Sequence, residues 1–165
     1  MCEHKLFESQ EHEIHEFMMK HELQKYQITS NGVDVHSGFH LYNYNLHELP
    51  FQFNEIHGNF TCSHNKLESL QGAPRVVHGT FYCKNNKITS LSGAPKVVEG
   101  DFYCSGNNIE PWEHRYLLFS EIHGRIQTDS YELDKFFQKY QNKKAGIPEA
   151  LKELKVLQKQ WEQEK

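Results

Sequence analysis

Leu67-Glu68-Ser69-Leu70-Gln71-Gly72-Ala73-Pro74-Arg75-Val76-Val77-His78-Gly79-Thr80-Phe81-Tyr82-Cys83 returns as Ile88-Thr89-Ser90-Leu91-Ser92-Gly93-Ala94-Pro95-Lys96-Val97-Val98-Glu99-Gly100-Asp101-Phe102-Tyr103-Cys104, an offset of 21 residues. One period earlier stand Leu46, Leu49, Ile56, Gly58, Phe60, Cys62 and Asn65, and a further step back finds Val35, Phe39 and Leu41. Forward, Ile109 and Trp112 continue the pattern, which then slips by about three residues to Ile122, Gly124 and Ile126. A fixed period of this length signals a solenoid, in which each unit is too thin to bury its own apolar face and stacking on neighbours supplies the core.

The unit reads as one strand and a return path. In Gly-x-Phe-x-Cys the marked residues alternate, as a strand with one buried face requires. Phe60, Cys62, Phe81, Cys83, Phe102 and Cys104 are expected to point inward. Asn65, Asn86 and Asn107 follow, and a buried amide there can bond the backbone of the neighbouring coil. Leu67, Ile88 and Ile109 then return to the core, Leu70 and Leu91 pack next, and Gly-Ala-Pro turns the chain.

Phe81-x-Cys83-x-x-Asn86-x-Ile88-x-x-Leu91 resembles the leucine-rich repeat, with Phe and Cys at two of the Leu positions. The period falls in the short bacterial range. The Cys-x-x-Asn and Leu-x-Gly-Ala-Pro wording is most similar to leucine-rich-repeat-like proteins of tailed bacteriophages. The usual Leu three residues before the first strand Leu falls on His57, His78 and Glu99, and Ile56, Val77 and Val98 take over its packing role. The resemblance covers roughly residues 28–128. It implies an α+β fold, a stacked parallel sheet in a solenoid, and a binding scaffold without a particular partner.

Both ends are expected to be helical, giving a cap over 1–27, the solenoid over 28–128 and a helical hairpin over 129–165. A helix over 7–24 carries Phe7, Ile14, Phe17 and Met18 on one side, and Ser30-Asn31-Gly32 turns a hairpin between Ile28 and Val33/Val35. Asp129-Ser130-Tyr131-Glu132 resembles a capping box with Asp in the first place. Leu133, Phe136, Phe137 and Tyr140 follow at helical spacing. Ala145-Gly146-Ile147-Pro148 breaks that helix and starts the next. Ile147, Ala150, Leu154, Leu157 and Trp161 form a stripe that closes the solenoid end; fewer than three heptads argue for a cap, and a homodimer through this helix is the other use of such a stripe.

Composition narrows function. Mean hydropathy of -0.77 and the lack of a long apolar run exclude a membrane-spanning chain. Met1-Cys2-Glu3-His4-Lys5 opens no apolar leader, so a cytoplasmic location is expected, in the host if a phage encodes the chain. A net charge of -4 argues against a general nucleic-acid binder. Four Cys in such a chain read as thiols. Cys62, Cys83 and Cys104 stand one repeat apart, about 4.8 Å when stacked, and read as core filling rather than a zinc site. No metal and no cofactor is expected, and Cys2 beside His4 has no matching pair. His36, His57, His78 and His123 share one repeat position, where Glu99 stands in the intervening coil. They predict a surface row of polar filling, a partner contact or a proton-sensitive seam; mutual repulsion would lower their pKa values.

No catalytic signature is present: His12-Glu13-Ile14-His15 places its second His one residue short of the zincin spacing, so the chain is not expected to be an enzyme. Binding is the expected role, through strand residues that face away from the core. These are Tyr42, Thr61, Thr80, Tyr82, Lys84, Asp101, Tyr103 and Arg125, with Asn59, Ser63, Ser105 and Gln127 beside them. The expected partner is a protein, and by analogy alone a phage adaptor of this kind would inhibit a host or defence protein by occlusion. The other reading is a nucleic-acid or nucleotide binder, with Tyr82 and Tyr103 stacking bases and Lys84 and Arg125 meeting phosphate; Asp101 in the same surface counts against it.

Overall fold

The fold is an α+β solenoid of about five stacked turns, with a helix at its N-terminal end and helices at its C-terminal end. It is seen in a computed structural model that describes residues 2–22 and 25–164; the side chains of 2–9, Cys2 and Phe7 among them, lie outside the described residues.

Each turn contributes two short strands. The first sheet holds a hairpin of β1 (Tyr26–Thr29) and β2 (Gly32–Val35), then β4 (Phe53–Ile56), β6 (Val76–Val77), β8 (Val97–Val98) and β10 (Glu121–Ile122). The second holds β3 (Phe39–His40), β5 (Phe60–Thr61), β7 (Phe81–Tyr82), β9 (Phe102–Tyr103) and β11 (Ile126–Gln127). Within each sheet the strands run in the order β1-β2-β4-β6-β8-β10 and β11-β9-β7-β5-β3, all parallel except the hairpin. The repeat alone predicts one strand per unit. The Val-Val pairs form a second, because Val77 and Val98 point inward while their neighbours half-face solvent.

The two sheets share one core. Phe60, Phe81 and Phe102 are buried and stack, with centroids 5.5 and 5.1 Å apart. Cys62, Cys83 and Cys104 are buried beside them, and each Sγ donates to the carbonyl of Tyr82, Tyr103 and Gln127 respectively. Burial raises the Cys62 pKa to about 12 and pushes Cys83 and Cys104 up as well, so these thiols stay protonated and pack as small apolar groups. The Asn ladder forms as expected. Asn86 Oδ1 accepts from the Leu67 amide at 3.0 Å, and its Nδ2 donates to the carbonyls of Cys62 and Cys83; Asn65 and Asn107 repeat this on their own coils.

A corner joins the sheets. A Cβ on Gly79 would lie 2.5 Å from Asn59 Oδ1 and 2.7 Å from the Gly58 carbonyl carbon, and one on Gly100 would meet Thr80 Oγ1 at 2.6 Å. Glycine is needed here because successive corners press backbone on backbone.

The ends differ in detail from the sequence reading. The first helix, α1, spans Cys2–Lys20 rather than 7–24. The chain turns at Glu22, whose φ is 56°, and the last two residues of the expected span lie outside the described residues. Ile14 and Met18 are buried, and Phe17 meets Phe51 edge-on. The slip of the repeat comes from an inserted 3-10 helix, Pro111–Phe119, after which β10 pairs with β8 as Ile122↔Val98. Helix α2 (Tyr131–Tyr140) is capped by Ser130, whose hydroxyl accepts from the Leu133 amide; Asp129 instead accepts from the Gly106 amide. Helix α3 (Ile147–Gln163) buries Ala150 and Leu154, and it packs on the 3-10 helix and α2. Asn142 accepts from the Ile122 amide and donates to its carbonyl, which covers the open edge of the first sheet.

Candidate functional site

The outward side of the second sheet is built by strand alternation. The register pairs His40↔Thr61↔Tyr82↔Tyr103↔Gln127, so these five side chains stand in one row. Tyr82 and Tyr103 stack with centroids 5.0 Å apart and planes only 2° from parallel. The Tyr103 hydroxyl donates to Asp101 Oδ2 at 2.9 Å, and Lys84 Nζ lies 5.6 Å from the Tyr103 ring. The Arg125 backbone amide and the Tyr103 hydroxyl, in that order, lower the Asp101 pKa. The same bond to Asp101 is the first cause raising the Tyr103 pKa.

A second row flanks the first at the corner. Asn59 Oδ1 accepts from the Thr80 amide at 2.8 Å, Thr80 Oγ1 accepts from the Asp101 amide at 3.3 Å, and Asp101 Oδ1 accepts from the Arg125 amide at 2.7 Å. Thr80 and Asp101 therefore hold coil to coil as well as facing outward. Of the residues expected in the site, Thr61, Tyr82 and Tyr103 form the central row, Lys84 leans over it, and Thr80, Asp101 and Arg125 form the flank.

Tyr42 stands apart. One period carries it onto Ser63, outside the tyrosine row, and its exposed ring rests 4.8 Å from that of His64. Ser63 was expected to face solvent but is buried, and its hydroxyl accepts from the Lys84 amide. His40 is a member of the central row that the sequence reading passed over, although a step of one period back from Thr61 reaches it.

The histidine row lies on the corner between the sheets. The His36 and His57 rings are 5.2 Å apart, and His57 stacks on His78 at 4.9 Å. The expected mutual lowering of pKa does not hold for His78. Its Nε2 is 2.5 Å from Glu55 Oε1 and its Nδ1 is 2.9 Å from Glu99 Oε1, so the two carboxylates raise its pKa, Glu55 first. The stability His78 adds is thus present below its unfolded pKa, near ~6.5, and is lost as pH rises through the folded value. The shared repeat position places Glu99 beside His78, whereas Glu55 reaches across from the preceding coil.

Among the described residues no helix is long and apolar enough to cross a membrane. Compared with protein-family models, curated proteins and solved structures, the chain finds no match.

Proposed function

We propose that this solenoid is a non-enzymatic protein-binding module whose contact surface is the outward side of the second sheet. The observation that carries this reading is the stacked Tyr82–Tyr103 pair on a rigid parallel sheet. Tyrosine supplies large contact area at low entropic cost and is frequent among interface hot spots. Asp101 holds the Tyr103 hydroxyl, so part of that ordering cost is met before a partner arrives. Lys84, Arg125 and Asp101 place both signs of charge around the rings, which suits a mixed protein surface.

The finer identity is proposed on the same footing. A period of 21 residues and the Asn ladder support a leucine-rich-repeat-like chain of the short bacterial or phage type. A phage product of this kind would act in the host cytoplasm by occluding a host or defence protein. A homodimer through α3 would have to use its outer side, where Val156 is exposed, since Ala150 and Leu154 are buried within the chain. Nucleic-acid binding is the weaker reading: the Asp101 carboxylate sits in the same surface as Lys84 and Arg125, and the net charge is -4.

The test is affinity capture from bacterial lysate with the wild-type chain and with Tyr82→Ala, Tyr103→Ala and the double variant. Each truncation is expected to cost about 2 kcal/mol or more of binding and to leave the melting temperature nearly unchanged, because the rings stand outside the core. A partner held equally by the double variant would remove this face from consideration. Binding that falls steeply with salt would favour nucleic acid instead.

A further inference from the structure

Glu55, His57 and His78 lie at the corner between the sheets, away from the tyrosine row. Their carboxylate and imidazole donor atoms all fall within 4.8 Å of one another. Sequence spacing hides this group. Glu55 and His57 share one side of a strand end, two residues apart, while His78 arrives from the next coil through the pairing Ile56↔Val77.

Glu55 Oε1 stands 2.5 Å from His78 Nε2 and 3.8 Å from His57 Nε2. Donor atoms around a tetrahedral zinc ion, with bonds near 2.0–2.1 Å, stand about 3.3 Å apart. The two observed separations bracket that figure, and turning the His57 ring out of its stack on His78, where the centroids are 4.9 Å apart, would aim both imidazoles at one ion and close the set. His78, 31% exposed, is held between Glu55 and Glu99, while Glu55 and His57, 35% and 43% exposed, have room to turn. Their backbones do not, because parallel pairing fixes both coils.

A fourth residue completes the arrangement from outside. Glu99 Oε1 lies 2.9 Å from His78 Nδ1. A carboxylate on the remote nitrogen of an imidazole fixes its tautomer and orientation and makes the other nitrogen a better ligand. With Nδ1–H donated to Glu99, His78 Nε2 is the atom turned toward Glu55 and His57.

We propose that Glu55, His57 and His78 bind one divalent cation of the zinc class, with Glu99 positioning His78. Two imidazole nitrogens and one carboxylate oxygen suit zinc, copper(II) or nickel(II) rather than calcium or magnesium. Three protein ligands leave the remaining coordination to water. The ion replaces the proton shared by His78 Nε2 and Glu55 Oε1, and that proton leaves to solvent. Bound there, it ties the coil of β4 to the coil of β6 on the surface and stabilises the folded chain by mass action.

The test is calorimetric titration of zinc chloride alone into the full chain carrying Cys2→Ser, with magnesium chloride as the comparison ion. One equivalent should bind with micromolar affinity and raise the melting temperature, and magnesium should do neither. His57→Gln and His78→Gln should each weaken binding at least tenfold, Glu99→Gln by about tenfold, and His12→Gln, on α1, not at all. The imidazole nitrogen resonances of His57 and His78 should move on titration of the chain with both histidines in place, which holds even if a variant folds poorly. Undiminished binding in both histidine variants, unmoved His57 and His78 resonances, or affinity weaker than about 100 μM would overturn the assignment.

Discussion

At the scale of single residues, Asn86 and Phe81 show how one side chain serves two coils. The Asn86 amide satisfies the Leu67 amide and the carbonyls of Cys62 and Cys83, all away from water. Asn86→Ala removes every one of these partners at once. Each buried polar group left without a partner costs about 1–3 kcal/mol, so a loss of several kcal/mol is expected in chemical denaturation. A loss below about 1 kcal/mol would mean that water replaces the amide. Phe81 is fully buried between Phe60 and Phe102. Phe81→Ala should cost about 3–5 kcal/mol, a large share of a small domain's stability, and the variant is expected to be unfolded or close to it by circular dichroism.

Among the elements, α2 and the inserted 3-10 helix decide how the solenoid ends. The Ser130 hydroxyl caps α2, so Ser130→Ala should cost about 1 kcal/mol, read as a lowered denaturation midpoint. Asp129→Ala, which removes the acceptor of the exposed Gly106 amide, should cost less; the reverse order would return the cap to Asp129. The 3-10 helix buries His114, whose Nδ1–H donates to the Glu110 carbonyl. Burial lowers the His114 pKa, outweighing the hydrogen bonds and the pull of Asp129 and Asp134. The folded chain therefore keeps this ring neutral where the unfolded chain protonates it. Its contribution to stability is whole above about pH 6.5 and declines as pH falls below that value. Melting temperatures at pH 7.5 and 5.5 should show a smaller acid loss for His114→Gln than for wild type, and equal losses would mean that the buried ring gains its proton without cost. His78 works in the opposite sense, so the two histidines partly cancel in the intact chain.

For the molecule as a whole, stacking is the source of stability: no coil buries its own Phe, Cys and Val without the coils beside it. That much was legible in Leu67–Cys104, because a repeat makes the same demand at every turn. Period 21, inward Phe and Cys, and the Asn that closes each turn are local or nearest-neighbour requirements, written once per coil. The outward row of Thr61, Tyr82 and Tyr103 was legible for the same reason, since alternation along a strand sets which side chains leave the core. What had to wait for the tertiary structure falls into two kinds. The first sheet, with its Val-Val strands, needed the corner at Gly58, Gly79 and Gly100, where backbone presses on backbone; two residues of Val are too short a run to announce a strand. The Glu55 carboxylate on His78 needed the stacking of one coil on the next, which brings Glu55, 23 residues away in sequence, against its ring. Periodicity records what each coil repeats, so it determined the solenoid and its outward tyrosines. The His78–Glu55–Glu99 contact occurs once, between unlike residues on three coils, and only their packing decided it.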